Sequence, residues 1–477
     1  MSTSSAIAGH SAGEEHAASH NSDKGHVVLR PEEITSTLVA TTSAGAGKFK
    51  RWAWILALLT LVGIVGLVLK VIQDVDHQER WGYLAATVGF LLTVGGGAPL
   101  VAIAPVLAKS NWVRPLTRLS AAFSLIGIVT IVFTIPMLLV LPPLVVDGAR
   151  RRSIWFESPD YTPHLFIMMA LGTLLLAGFG LFYSTALPDF AAMRDHSTGW
   201  RQRLGKNLAR GWVGSTVQWR TLRMRIGMFG TFYFLVLIFV HFLYSTDFSI
   251  SMVPGLRDAI FPMYHSMSSI QAGVAVTILT AWAARRYLGL NDYLRLDQFW
   301  SLGRLLFASS LLWVYFFFSA FIVFWYGRGE ADKAWVELFI RGPMIWAFLP
   351  GMFMAFLVPW WWLIWNRVRT SVNGPAIGAS IVLLGLLLDR IRIYVTSWAV
   401  SPDQIHYKYL KEIPGTVWPS AFDIMIIIGG ISAAALVMLL VFRIIPIVSI
   451  WQAQEYQLLS KPVKFIRGHG VLVAKPD

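Results

Sequence analysis

The sequence predicts an all-α, polytopic membrane protein with ten transmembrane helices. Three observations carry that expectation. The 477 residues are 56% hydrophobic and only 14% charged, where soluble domains run nearer a quarter charged. The shortfall is concentrated in long apolar runs separated by short polar loops. Basic residues collect in alternate loops, the bias that orients membrane helices. A net charge of +14 therefore reads as topology, and nucleic acid is not an expected partner. The absence of cysteine excludes disulfides, thiolate-held iron–sulfur clusters and cysteine-bound zinc in this chain.

Residues 1–47 are polar and rich in Ser, Ala, Gly and His, and read as a disordered cytoplasmic tail without a signal peptide. Its histidines, His10, His16, His20 and His26, imply weak metal binding at most. Ten apolar runs follow, each of roughly 20 residues or more, enough to cross ~30 Å of hydrocarbon as helix. They cover 52–72, 81–108, 117–146, 164–187, 224–245, 260–283, 301–326, 343–366, 375–398 and 420–445. The division is a tail (1–47), helices one to five (48–245), helices six to nine (246–400), and helix ten with a cytoplasmic tail (401–477). Lys48, Lys50 and Arg51 precede the first run, and Lys109, Arg114 and Arg118 fill the second loop. The fourth loop, 188–223, holds Arg194, Arg201, Arg203, Lys206, Arg210, Arg220 and Arg223. Arg285, Arg286, Arg295, Arg367 and Arg369 continue the pattern. Arg150, Arg151 and Arg152 break it. Both termini are expected in the cytoplasm. The tryptophans of "PWWWLIW" (359–365) are expected at the cytoplasmic interface. "VGGGAPL" (94–100) breaks the regularity of run two, as close helix packing requires.

The ninth run holds Asp389, Arg390 and Arg392. Each central charge costs ~2.5–3.5 kcal/mol in a membrane, so all three must face protein or water. Asp389 and Arg392 are three apart and share a helix face. Arg390 points elsewhere and needs a partner from another helix or a ligand. His241, Asp247, His265 and Asp423 fall at a similar depth near the outer ends of runs five, six and ten. Ser266, Ser268, Ser269 and Gln271 lie deeper. The seven titratable or charged residues read either as a proton path or as a charged lock for helix packing. His241 and His265 also stand at similar depth on consecutive antiparallel helices, a geometry that permits bis-His haem ligation. No metal site, nucleotide loop or catalytic triad is apparent, and no catalytic residue is assigned.

Several stretches resemble the NrfD-like, or polysulfide-reductase, family of integral membrane subunits, nearest the quinol-side subunit of bacterial alternative complex III. They are "ALPDFAAMRD" (186–195), "STDFSISMVPGLRDAIFP" (245–262), "RGPMIW" (341–346), "NRVRTS" (366–371), "DRIRIYVTS" (389–397) and "PSAFDI" (419–424). The resemblance implies two four-helix bundles, helices two to five and six to nine, flanked by helices one and ten. It implies a multi-pass subunit of the cytoplasmic membrane within a menaquinol:cytochrome or other acceptor oxidoreductase. The implied partners are an iron–sulfur subunit, multihaem cytochrome subunits and a paralogous NrfD-like subunit. Asp389 and Arg390 match the acidic–Arg pair that family members carry in the second bundle. The first bundle departs from the quinol-active pattern. Ala98 stands where a His is expected, and only Asp160 or His164 could serve as a menaquinone-binding base. The resemblance thus implies a scaffold and proton-conducting subunit rather than the quinol-oxidising one. A quinol-oxidising subunit and a stand-alone proton-coupled transporter are the alternatives.

Overall fold

The computed structural model describes residues 29–141, 145–146, 149–150, 162–253, 255–401, 404–406, 409–410, 412–465 and 468–473. The described chain is helical apart from loops and three short antiparallel hairpins: 145–146 with 149–150, 405–406 with 409–410, and 460–465 with 468–473.

Nine helices among the described residues are long and apolar enough to cross a membrane. They are α2 (Ala46–Asp74), α3 (Gly82–Leu107), α4 (Arg114–Leu138, partly 3-10) and α5 (Thr162–His196). The rest are α7 (Thr216–Phe248), α8 (Phe261–Leu288), α9 (Leu296–Gly327), α10 (Ile345–Leu363) and α12 (Ala421–Ile444). Between the last two lies α11 (Asn373–Trp398). Its 26 residues span about 39 Å at 1.5 Å per residue, but its three charges keep it out of the apolar class. Three shorter helices complete the set used below: α1 (Pro31–Thr41), α6 (Trp200–Leu208) and α13 (Ile450–Leu459).

The sequence boundaries need correction in several places. Part of the expected disordered tail is α1. Pro31 opens it, Glu32 and Glu33 fill its first turn and favour its N-terminal dipole. Ile34 and Leu38, one helical turn apart, are buried. Gln454 of α13 donates to Pro31 O and to Thr35 Oγ1 at 3.1 and 3.0 Å, which ties the segment down. The third run ends at Leu138, short of its expected limit at 146. Run four continues through Pro188 to His196, so "ALPDFAAMRD" is the end of a helix rather than a loop. The fourth connection is itself partly helical, as α6.

Glycine sets the closest approaches. A Cβ on Gly97 of α3 would lie 1.8 Å from Ser269 O of α8, and one on Gly273 would lie 2.2 Å from the Gly97 carbonyl carbon. The irregular "GGGAPL" stretch is therefore where α3 and α8 touch backbone to backbone. Gly63 of α2 and Gly429 of α12 repeat the device, with a Cβ on Gly63 2.4 Å from Gly429 Cα. Helix α3 is buried nearly throughout and packs against α4, α7, α8, α11 and α12. Helix α11 packs in turn on α3, α8, α9 and α10.

Candidate functional site

The charges of α11 are buried in protein and do not reach lipid. Asp389, Arg390 and Arg392 are each 3% exposed or less. Arg392 Nη2 donates to Asp389 Oδ1 at 2.7 Å, the pairing that the three-residue spacing predicts. Tyr264 Oη of α8 donates to the same oxygen at 2.6 Å. Arg392 Nη1 donates to Phe339 O at 3.1 Å, a carbonyl within the π-helical turn Glu337–Arg341. The opposite side of Asp389 faces Arg390, with Nη1 3.6 Å from Oδ2. Arg390 leaves the Asp389–Arg392 face as expected. Its Nε donates to Thr93 Oγ1 of α3 at 3.2 Å, and its Nη2 reaches His265 O of α8 at 3.5 Å.

A second chain of groups starts one turn further along α11. Tyr394 Oη lies 2.7 Å from His265 Nε2, and His265 Nδ1 lies 2.8 Å from His241 Nδ1 of α7. All three residues are fully buried. The short contact between two Nδ1 atoms admits one proton, donated by one ring and accepted by the other. It also argues against the haem geometry. Axial ligands on opposite faces of one iron need nitrogens roughly 4 Å apart, twice a metal–nitrogen bond of ~2 Å. His241 Nε2, at the far end, has no hydrogen-bond partner among the described residues. It lies 3.9 Å from where a Cβ on Gly96 would sit. The Tyr394–His265–His241 line thus runs from α11 through α8 to α7 and ends against α3. Arg390 stands between this line and Asp389. A guanidinium does not release its proton, so Arg390 couples the two halves by charge.

The structure does not gather every residue expected here. Asp423 is held elsewhere, 2.8 Å from Lys70 Nζ of α2 and bonded to Ser420, whose Oγ donates to Asp423 Oδ2 at 2.7 Å. Lys70 is fully buried and also lies 3.6 Å from Asp74. Asp423 therefore belongs to a charge cluster between α2 and α12. Asp247, at the end of α7, is buried, and its carboxylate has no hydrogen-bond partner among the described residues. It does not join the network. The serines of α8 serve packing: Ser266 and Ser268 donate to their own helix and Ser269 to Thr93 O. Gln271 Nε2 donates to Ala355 O at 2.7 Å, inside the second π turn, Phe353–Leu357.

Sequence reasoning missed Tyr264, Tyr394 and Thr93, whose spacing carries no signal. It also placed Arg118 among the loop cations. Arg118 is fully buried, with Nη2 2.9 Å from Asp189 Oδ2. Asp189 Oδ1 accepts from the backbone N–H groups of Ile450 and Trp451 at 3.2 and 3.5 Å, so it caps α13.

The first-bundle positions named from sequence are only partly described. Ala98 is fully buried against Gly273. The space enclosed by Leu92, Gly95, Ser124 and Tyr233 is about 10 Å³, at most one water. His164 Nε2 is engaged with Leu138 O at 2.8 Å, closing the end of α4. Asp160 lies outside the described residues. No family model matches the chain, and no curated protein matches it.

Proposed function

We propose that the chain is an integral membrane subunit of a quinol:electron-acceptor oxidoreductase resembling alternative complex III. Its task is scaffold and proton conduction rather than quinol oxidation. One observation carries the proton-conducting part: Tyr394, His265 and His241 form an unbroken, buried hydrogen-bonded line beside the Asp389–Arg390–Arg392 cluster. Each member can both donate and accept a proton, which a relay requires. A proton entering at Tyr394 and leaving from His241 Nε2 resets both imidazole tautomers by one step. The engaged His164 and the filled space around Ala98 support a role without quinol chemistry.

The helix neighbours support the bundle arrangement that the resemblance implies. Helices α3, α4, α5 and α7 pack as one ring and α8, α9, α10 and α11 as another, with α2 and α12 paired at the side. With α11 counted, the reading takes these as ten spans in two four-helix bundles, in the cytoplasmic membrane with both termini inside. The partners in this reading are an iron–sulfur subunit, multihaem cytochromes and a paralogous membrane subunit, with menaquinol oxidised elsewhere in the complex.

Mild solubilisation from native membranes, followed by mass spectrometry of what co-purifies, tests the membership. Iron–sulfur and multihaem subunits are expected in stoichiometric amounts. Purification as a lone polypeptide without cytochromes overturns the reading.

A further inference from the structure

A partly enclosed space with a polar mouth lies away from the charged cluster. It is a cavity of about 260 Å³ between the C-terminal end of α3, the N-terminal ends of α4 and α7, the later half of α5, and α13. Antiparallel succession of the helices puts these ends on one face, the face that carries the basic connections around Arg194, Arg201 and Lys206. We propose that this cavity binds the phosphodiester headgroup of an anionic phospholipid from that leaflet.

Three features of the cavity agree on this ligand. Its mouth carries Lys109, Arg114 and Arg223 against one carboxylate, Glu455. Arg114 is engaged by Glu455. Lys109 and Arg223 are exposed and have no carboxylate partner among the described residues. Two unpaired cations at the membrane surface favour a phosphodiester headgroup of net negative charge over a zwitterionic or neutral one. Inside the mouth, Gln452 is 5% exposed and its Oε1 has no hydrogen-bond partner among the described residues. A buried acceptor left unmade is costly, and a headgroup hydroxyl supplies the missing donor. Deeper still, Ile103, Leu181 and Ile226 make an apolar wall. That wall suits the first methylenes of an acyl chain and gives a free phosphate ion nothing. The sequence leaves space for it: Gly227 and Gly230 line the α7 side, and a Cβ at Gly227 meets nothing within 4 Å. The inference is independent of the respiratory reading.

Native mass spectrometry of the purified full chain, released from detergent with equal amounts of phosphatidylglycerol and phosphatidylcholine, tests it. Preferential retention of phosphatidylglycerol is expected, undiminished by millimolar inorganic phosphate. Lys109→Gln and Arg223→Gln, both at exposed positions, should each reduce the preference about fivefold. Gly227→Leu keeps every charge but fills the cavity, and should abolish retention. Equal retention of the two lipids, a preference that survives the double Lys109→Gln/Arg223→Gln variant, or retention unchanged by Gly227→Leu overturns the proposal. Displacement of the lipid by inorganic phosphate does so too, and assigns the cations to a free anion.

Discussion

The Arg118–Asp189 pair and the Asp389 cluster are both buried ion pairs in helices, yet they end in different chemistry. Around Asp189 the other partners are the N–H groups of Ile450 and Trp451 and the Ser449 hydroxyl, and Arg118 donates onward to the Thr185 carbonyl. Among the described residues no imidazole or phenol hydrogen-bonds to these groups, so this pair is a lock that fixes α13 against α4 and α5. Around Asp389 the contacts lead to a tyrosine hydroxyl, and a second tyrosine and two imidazoles stand beyond Arg390. The comparison teaches that what closes a buried charge, more than the charge itself, separates a structural device from a candidate relay.

The sharpest break in this comparison is Arg118→Leu. It leaves the Asp189 carboxylate buried without its cation, and removing one partner of a buried pair costs ~3–5 kcal/mol. A large drop in the midpoint of thermal unfolding in detergent is expected. Arg118→Leu/Asp189→Leu should recover part of the loss, but not all, because the α13 amides then lack their acceptor. Lys70→Met is expected to destabilise next most, since Asp423 keeps its Ser420 contacts. Its unfolding midpoint should fall below wild type yet stay above that of Arg118→Leu. Tyr394→Phe sharpens the other side of the comparison. It deletes one hydrogen bond, worth ~0.5–1.5 kcal/mol, so the unfolding midpoint should move little. Proton transfer through the reconstituted complex should fall strongly. A large stability loss without a change in proton transfer would make Tyr394 a packing residue.

The smallest expected effect lies outside the spans. Burial raises the Asp258 carboxyl above its ordinary value of 3.8, against the lowering effect of the Ile260 and Phe261 amides. A raised folded-state value means that the folded state holds its proton more tightly. This group's contribution to stability is then present at low pH and is lost as pH climbs from 3.8 through the folded value. Asp258→Asn keeps an oxygen for both amides and removes the titration. Melting curves between pH 4 and neutrality should therefore decline less for the variant than for the wild type, and identical declines contradict the assignment.

Much of the fold was legible because hydrophobic length is a direct physical requirement of the bilayer. The apolar runs predicted α2 to α5 and α7 to α12, with errors at ends where polar residues continue a helix, as at Pro188 to His196. The α11 charges were legible as a buried site because apolar surroundings leave them no other place, and the three-residue spacing paired Asp389 with Arg392. The partners of Arg390 were not legible, since Thr93 lies 297 residues away in sequence and only tertiary packing, as where Gly82 and Gly89 meet Val395 and Tyr394, brings α3 near. Lys70 and Arg118 were missed for one reason. Each sits near the end of an apolar run, where a long cation ordinarily reaches back to the interface. The depth estimate put Asp423 beside Asp389, but depth does not fix position around the bundle.

The proton-to-electron stoichiometry of the reconstituted complex carrying Asp389→Asn tests the central claim most directly. The amide still accepts from Tyr264 and Arg392, so assembly should survive while the stoichiometry falls below that of wild type. An assembled variant that moves the wild-type number of protons per electron contradicts the account.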